Sequence, residues 1–142
     1  MRHRKNSTKL GRTSAHQKAL TASLVCNLIR QRRITTTLAK AKLARTMAEK
    51  MDTLGRRGVA EEAEKNGVSK RRLAVARLGQ REAVAALFSE IVPQMEGRAG
   101  GFTRILKLGR RPSDSSEMAI LEWVEPMTQE NAGESAPVEK QQ

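Results

Sequence analysis

The chain has 142 residues and carries 27 Lys and Arg against 15 Asp and Glu, a net charge of +12. That length fits one domain with short extensions, and the single cysteine, Cys26, excludes an internal disulfide or a cysteine-built zinc site. One Trp and two Phe are too few for a membrane-surface helix, and no apolar run approaches the roughly 18 residues of a membrane span.

Residues 1–13 are polar and basic, with Leu10 the only apolar residue after Met1. Such an arm cannot bury enough surface to offset its ordering entropy, so it is expected to be disordered until a polyanion binds it. No hydrophobic segment follows MRHRKNSTK, so the start does not read as a secretory signal, and a cytoplasmic protein is expected. Ser14 and Gln17 have capping-box spacing. Behind them Leu20, Leu24 and Leu28, flanked by Val25 and Ile29, predict a helix over about 15–31, with Cys26 as a packing residue. Arg32-Arg33 ends it, and Ile34-Thr35-Thr36 reads as a short strand.

Thr36 or Thr37 is expected to cap a second helix carrying Leu43, Met47, Met51 and Leu54, with Gly55 and Gly58 marking its end. The acidic stretch 59–66 reads as an insertion or extension. Ser69 is expected to cap a short helix over 70–78, with Leu73, Ala74 and Ala76 inward. A fourth helix near 80–92 shows Val84, Leu87, Phe88, Ile91 and Val92 on one face and stops at Pro93. After a glycine-rich loop, Phe102–Leu108 and Met118–Val124 read as two strands paired through an extended loop. Beyond Pro126 the apolar content disappears, and a disordered tail is expected. The expected architecture is α+β: helix, strand, three helices, two strands, with helices packed on a small mixed three-stranded sheet. Residues 1–13 form an arm, 14–125 one domain and 126–142 an acidic tail.

The charge is unevenly placed. Twelve Lys and Arg precede the first acid, Glu49, and residues 1–111 hold 26 bases and 8 acids. A one-sign stretch of this length is tolerated when a polyanion neutralises it, which points to nucleic acid. Basic residues recur at the junctions: the arm, Arg30 to Arg33, Lys40 to Arg45, Lys70-Arg71-Arg72, Arg98, Arg104 and Arg110-Arg111. Catalytic constellations are poor by comparison. His3 and His16 are the only histidines, no acid or thiol lies near them in sequence, and no nucleophile elbow or phosphate-loop spacing occurs. Neither enzymatic activity, a metal nor a cofactor is expected. With aromatics at 2%, base stacking on aromatic platforms is a poor fit, which leaves phosphate and ribose contact to folded RNA. The rival is a nucleoid or regulatory DNA-binding protein, using Ser69 to Val92 as two linked helices.

Four segments carry a resemblance when taken together and in order: MRHRKNSTKLGRTSAHQKA at the start, RITTTLAKAK at 33–42, LFSEIVP at 87–93 and RAGGFTRILKLG at 98–109. Over about residues 1–125 the chain resembles the bacterial large-subunit ribosomal protein seventeen family. That resemblance implies the same element order, binding to large-subunit ribosomal RNA, and a place near the peptide exit beside other ribosomal proteins. It marks Arg2, His3, Arg4, Arg12, His16, Thr36, Lys40, Lys42, Arg98 and Arg104 as RNA contacts. Charge placement adds Lys5, Lys9, Lys18, Arg33 and Arg71. Two departures stand out: Phe102 replaces the family's usual Tyr, losing a hydroxyl, and Pro112-Ser113-Asp114 replaces the usual Gly-Asp turn.

Overall fold

The computed structural model describes residues 8–62, 67–95 and 97–124. The first seven residues, the tail after Val124 and residues 63–66 of the acidic 59–66 stretch therefore lie outside the described residues, and with them the expectation of disorder for the tail and for the first half of the arm.

Helix α1 runs Ser14–Gln31. Its cap is Thr13 rather than Ser14: the Thr13 hydroxyl accepts from the His16 N–H, and the Gln17 side chain reaches past the cap to the Thr8 carbonyl. No reciprocal box forms, because Gln17 is engaged there. Thr21, Val25, Cys26, Leu28 and Ile29 are buried, and the helix ends on Arg32 with φ 64, a left-handed cap whose N–H returns to the Leu28 carbonyl. Strand β1 (Arg33–Thr37) leads without a linker into helix α2 (Leu38–Glu62).

Helix α2 does not end at Gly55 or Gly58. A Cβ on Gly55 would lie 2.5 Å from Val92 Cγ2, and one on Gly58 would lie 2.7 Å from Phe88 Cε1. The two glycines are where α2 and the fourth helix approach most closely, not a stop signal. Ala41, Ala44 and Ala48 are fully buried, while the larger Leu43 and Met47 are only half-buried. Small side chains thus set the packing distance of α2, and bulkier ones border its grooves.

Helix α3 (Gly67–Leu78) buries Ala74 and Leu78 and leaves Leu73 and Ala76 exposed, so its inward face is rotated from the expected one. Helix α4 is continuous from Arg81 to Gln94: Arg81–Ala86 is α-helical, Leu87–Ile91 is π-helical and Val92–Gln94 is α-helical again. Pro93 therefore does not stop it. The wider turn lets the Val92 N–H bond the Leu87 carbonyl and so accommodates a residue that cannot donate.

Strands β2 (Thr103–Arg110) and β3 (Glu117–Trp123) complete a three-stranded sheet in the order β1-β3-β2. The sheet is antiparallel throughout, not mixed. Strands β1 and β2 do run in the same direction, but β3 lies between them. A bulge at Lys107/Gly109 bends β2, and the following turn is closed by Arg111 bonding Asp114 at 2.6 and 2.9 Å. Along β3, Ala119, Leu121 and Trp123 are buried against the helices. The Trp123 indole N–H donates to the Leu28 carbonyl at 3.2 Å, fastening the last strand to the first helix.

Candidate nucleic-acid interface

The basic residues of the folded part fall into three neighbourhoods. The first surrounds the start of α2. Because Ala41, Ala44 and Ala48 face the core, Lys42 and Arg45 are turned outward, with Lys40 half-buried beside them. No acid occupies the first turn, so the positive helix end adds to the side-chain charge. The arm junction lies over this turn. Thr8 borders a groove with Lys42, Arg45, Lys50 and Lys107, and a second with Thr37, Ala39 and Lys42. Its position is fixed by the Gln17 bond to its carbonyl at 2.5 Å and by the turn Lys9–Arg12, in which the Arg12 N–H bonds the Lys9 carbonyl. Leu10 and Gly11 take φ of 52 and 63 to make that turn.

The structure thus brings Lys40 and Lys42 to the point where the arm leaves the domain. Lys9 and His16 are exposed nearby in sequence. Arg12 is half-buried and turns back on its own loop, donating to the Leu10 carbonyl at 3.0 Å, so it shapes the arm junction. Arg2, His3, Arg4 and Lys5 lie outside the described residues. Lys50 and Lys107 were not among the expected contacts. Lys42, Thr46 and Lys50 follow at four-residue spacing on one helix face, and Lys107 alternates with Thr103 and Ile105 toward α2.

The second neighbourhood is the outer sheet face. Arg33 and Arg104 stand directly across from Glu122 in the register. Arg33 Nε lies 2.6 Å from Glu122 Oε2, and Arg104 Nη2 lies 2.5 Å from Oε1. Glu122 is 5% exposed. Burial pushes its carboxyl up, but the hydrogen bonds from Arg33 and Arg104 outweigh this and hold it below the ordinary range. The row keeps one net positive charge, carried by two half-exposed guanidinium groups. Thr36 sits on the opposite, half-buried face, across from Ala119.

The third lies along the far half of α2. The Arg56 guanidinium donates to the Arg98 carbonyl and lies over the Phe102 ring at 5.3 Å; Arg98 itself bonds the Gly101 carbonyl at 3.1 Å. Phe102 is 3% exposed, so its ring is a packing surface for Arg56, while its N–H and that of Thr103 donate to Glu49. Arg71 covers Phe88 at 5.1 Å. Lys18 is elsewhere, beside a cleft between α1, α2 and α3. Among the described residues no cluster of His, Cys, Asp or Glu is built to hold a metal.

The family model for ribosomal protein L17 matches residues 20–124, nearly all of the folded part. The chain belongs to the ribosomal protein L17 family. It is 46% identical over 125 residues to the large ribosomal subunit protein bL17 of Methylacidiphilum infernorum, covering 88% of this chain and 89% of that one. It is 44% identical over 137 residues to bL17 of Akkermansia muciniphila, covering 96% and 95%. Membership of the L17 family makes it a ribosomal protein, a structural component of the ribosome rather than an enzyme.

Proposed function

We propose that this L17-family chain is a structural constituent of the large ribosomal subunit that binds large-subunit ribosomal RNA through phosphate and ribose contacts. The observation that carries this reading is the arm junction. Residues 1–48 contain no carboxylate, and Thr8 delivers the arm onto the turn holding Lys42, Arg45 and Lys50. An RNA backbone following the arm then meets the folded cations, past Glu49, whose carboxylate is taken up by the Phe102 and Thr103 N–H groups. In this reading residues 1–13 form the RNA-binding arm, 14–125 the RNA-facing domain and 126–142 an acidic tail. Placement near the peptide exit, beside other large-subunit proteins, is the expectation the family relationship carries; cross-linking in isolated subunits checks it.

The DNA-binding reading fits the helices less well. Helices α3 and α4 are linked by only Gly79 and Gln80, but the apolar face of α4 is buried. Its exposed Glu82 and Glu90 pair with Arg30 and Arg32, at 3.3 and 2.6 Å. That face offers a DNA groove carboxylates tied to α1 rather than free cations.

Binding of the full chain to large-subunit rRNA should weaken steeply with salt, by about 0.7 to 0.9 in log-log slope per phosphate neutralised. Replacing Arg2, Arg4 and Lys5 by Ala should lower incorporation in competition with the unaltered chain. Equal incorporation of the two would remove the arm from the interface, and preference for duplex DNA at matched salt would favour the rival.

A further inference from the structure

A cleft of about 930 Å³ lies between α1, α2 and α3, bounded at the α3–α4 turn by Leu78 to Gln80. Its volume is within the about 300–1,000 Å³ of clefts that take small ligands. Leu43, Met47 and Met51 supply apolar surface, and on α1 the short side chains of Ala19, Ala22 and Ser23 leave the space open. Lys18, Lys50 and Arg77 stand around it from three different helices, and no carboxylate lines it among the described residues. None of these three cations has an ion-pair partner among the described residues. Gln80, at the cleft's end, has its side-chain oxygen buried without a hydrogen-bond partner among the described residues.

We propose that this cleft takes a single unstacked nucleotide of RNA. The base lies against Leu43 and Met47, the Arg77 guanidinium stacks on or pairs with it, and Lys18 and Lys50 hold the flanking phosphates. The inference rests on the reading of the chain as an rRNA binder and adds a site to it. Two observations favour RNA over an acidic peptide. The cations surround the apolar surface with no counter-charge among the described residues, and the cleft adjoins the arm-junction groove across Leu43, Thr46 and Lys50, which border both. A strand laid along that groove therefore reaches the cleft. Polarizable thioether and guanidinium groups provide the contact that aromatic rings give in other RNA readers.

The test binds the full chain to protein-free large-subunit rRNA and probes the RNA with base-edge alkylation and 2′-hydroxyl acylation. One nucleotide should be shielded at its base edge while its ribose becomes more reactive than in free RNA. Met47→Trp, which fills the cleft, and Arg77→Glu, at an exposed position, should each abolish that signature and keep the rest of the footprint. Affinity should fall about tenfold. Survival of the full signature in the Arg77→Glu variant overturns the proposal, as does a footprint in which no nucleotide responds to either variant. Loss of a neighbouring protein from reconstituted subunits, with the RNA footprint intact, assigns the cleft to a protein and also overturns it. Absence of any footprint overturns the rRNA reading itself, and this inference with it.

Discussion

Two buried carboxyl groups bend the stability of this chain in opposite directions with pH. Glu122 is held below its ordinary range, so the stability it contributes is present above the unfolded carboxylate pKa and is lost as pH falls through the lower folded one. Replacing it by Gln leaves Arg33 and Arg104 without their shared anion and should cost about 2 kcal/mol in urea unfolding at pH 7. Asp52 is the reverse. It is fully buried, neither side-chain oxygen has a partner among the described residues, and burial pushes its carboxyl up to about 6 against the pull of Arg56. An acid raised on folding stabilises least when ionised, so stability should fall as pH rises from about 4 to about 6 and then level. Asp52→Asn should flatten that fall, which is on the order of 3 kcal/mol; an unchanged profile in urea midpoints would remove Asp52 as its source. The pairing of Arg33 and Arg104 could not be read from the sequence. Their partner is 89 residues from one and 18 from the other, and only the strand register brings the three together.

At the scale of elements, what was legible followed the hydrophobic period. Leu24, Val25, Leu28 and Ile29 announce α1, and the alternation of Ala119, Leu121 and Trp123 announces β3. What was not legible depended on a neighbour. Glycine has weak helix propensity, so Gly55 and Gly58 read as an ending, yet both are helical because Val92 and Phe88 press against them. Gly58→Ala sets two effects against each other. The gain in helix propensity is about 1 kcal/mol, whereas forcing a methyl against Phe88 Cε1 at 2.7 Å and Lys70 Cβ at 3.1 Å costs about 1–3 kcal/mol. The clash should prevail, because the aromatic ring is rigid and in the core, and thermal unfolding should shift downward. A higher midpoint would mean that α2 and α4 can separate without loss. The same logic explains the site. Lys40 and Lys42 were legible from local spacing, whereas Lys50 and Lys107 became part of the groove only through the packing of β2 on α2.

For the molecule as a whole, the proposed reading gives the arm a part in RNA binding but none in the core. The buried core begins on α1, after the arm, so removing residues 1–7 should leave the free energy of unfolding in urea within about 0.5 kcal/mol of the full chain while reducing the affinity for rRNA and its salt slope. Joint loss of both would show that the arm also supports the core. The placement of β3 has a further consequence, one of timing. It is the central strand and the last described element, and it supplies the Trp123 bond to Leu28 as well as both ladders of the sheet. As the chain emerges from the machine that makes it, β1 and β2 must wait, each with an unpaired edge, until the residues that belong between them have been added. The basic N-terminal residues precede every strand and the sheet closes last, so in the proposed reading the chain can meet RNA before its own fold is complete.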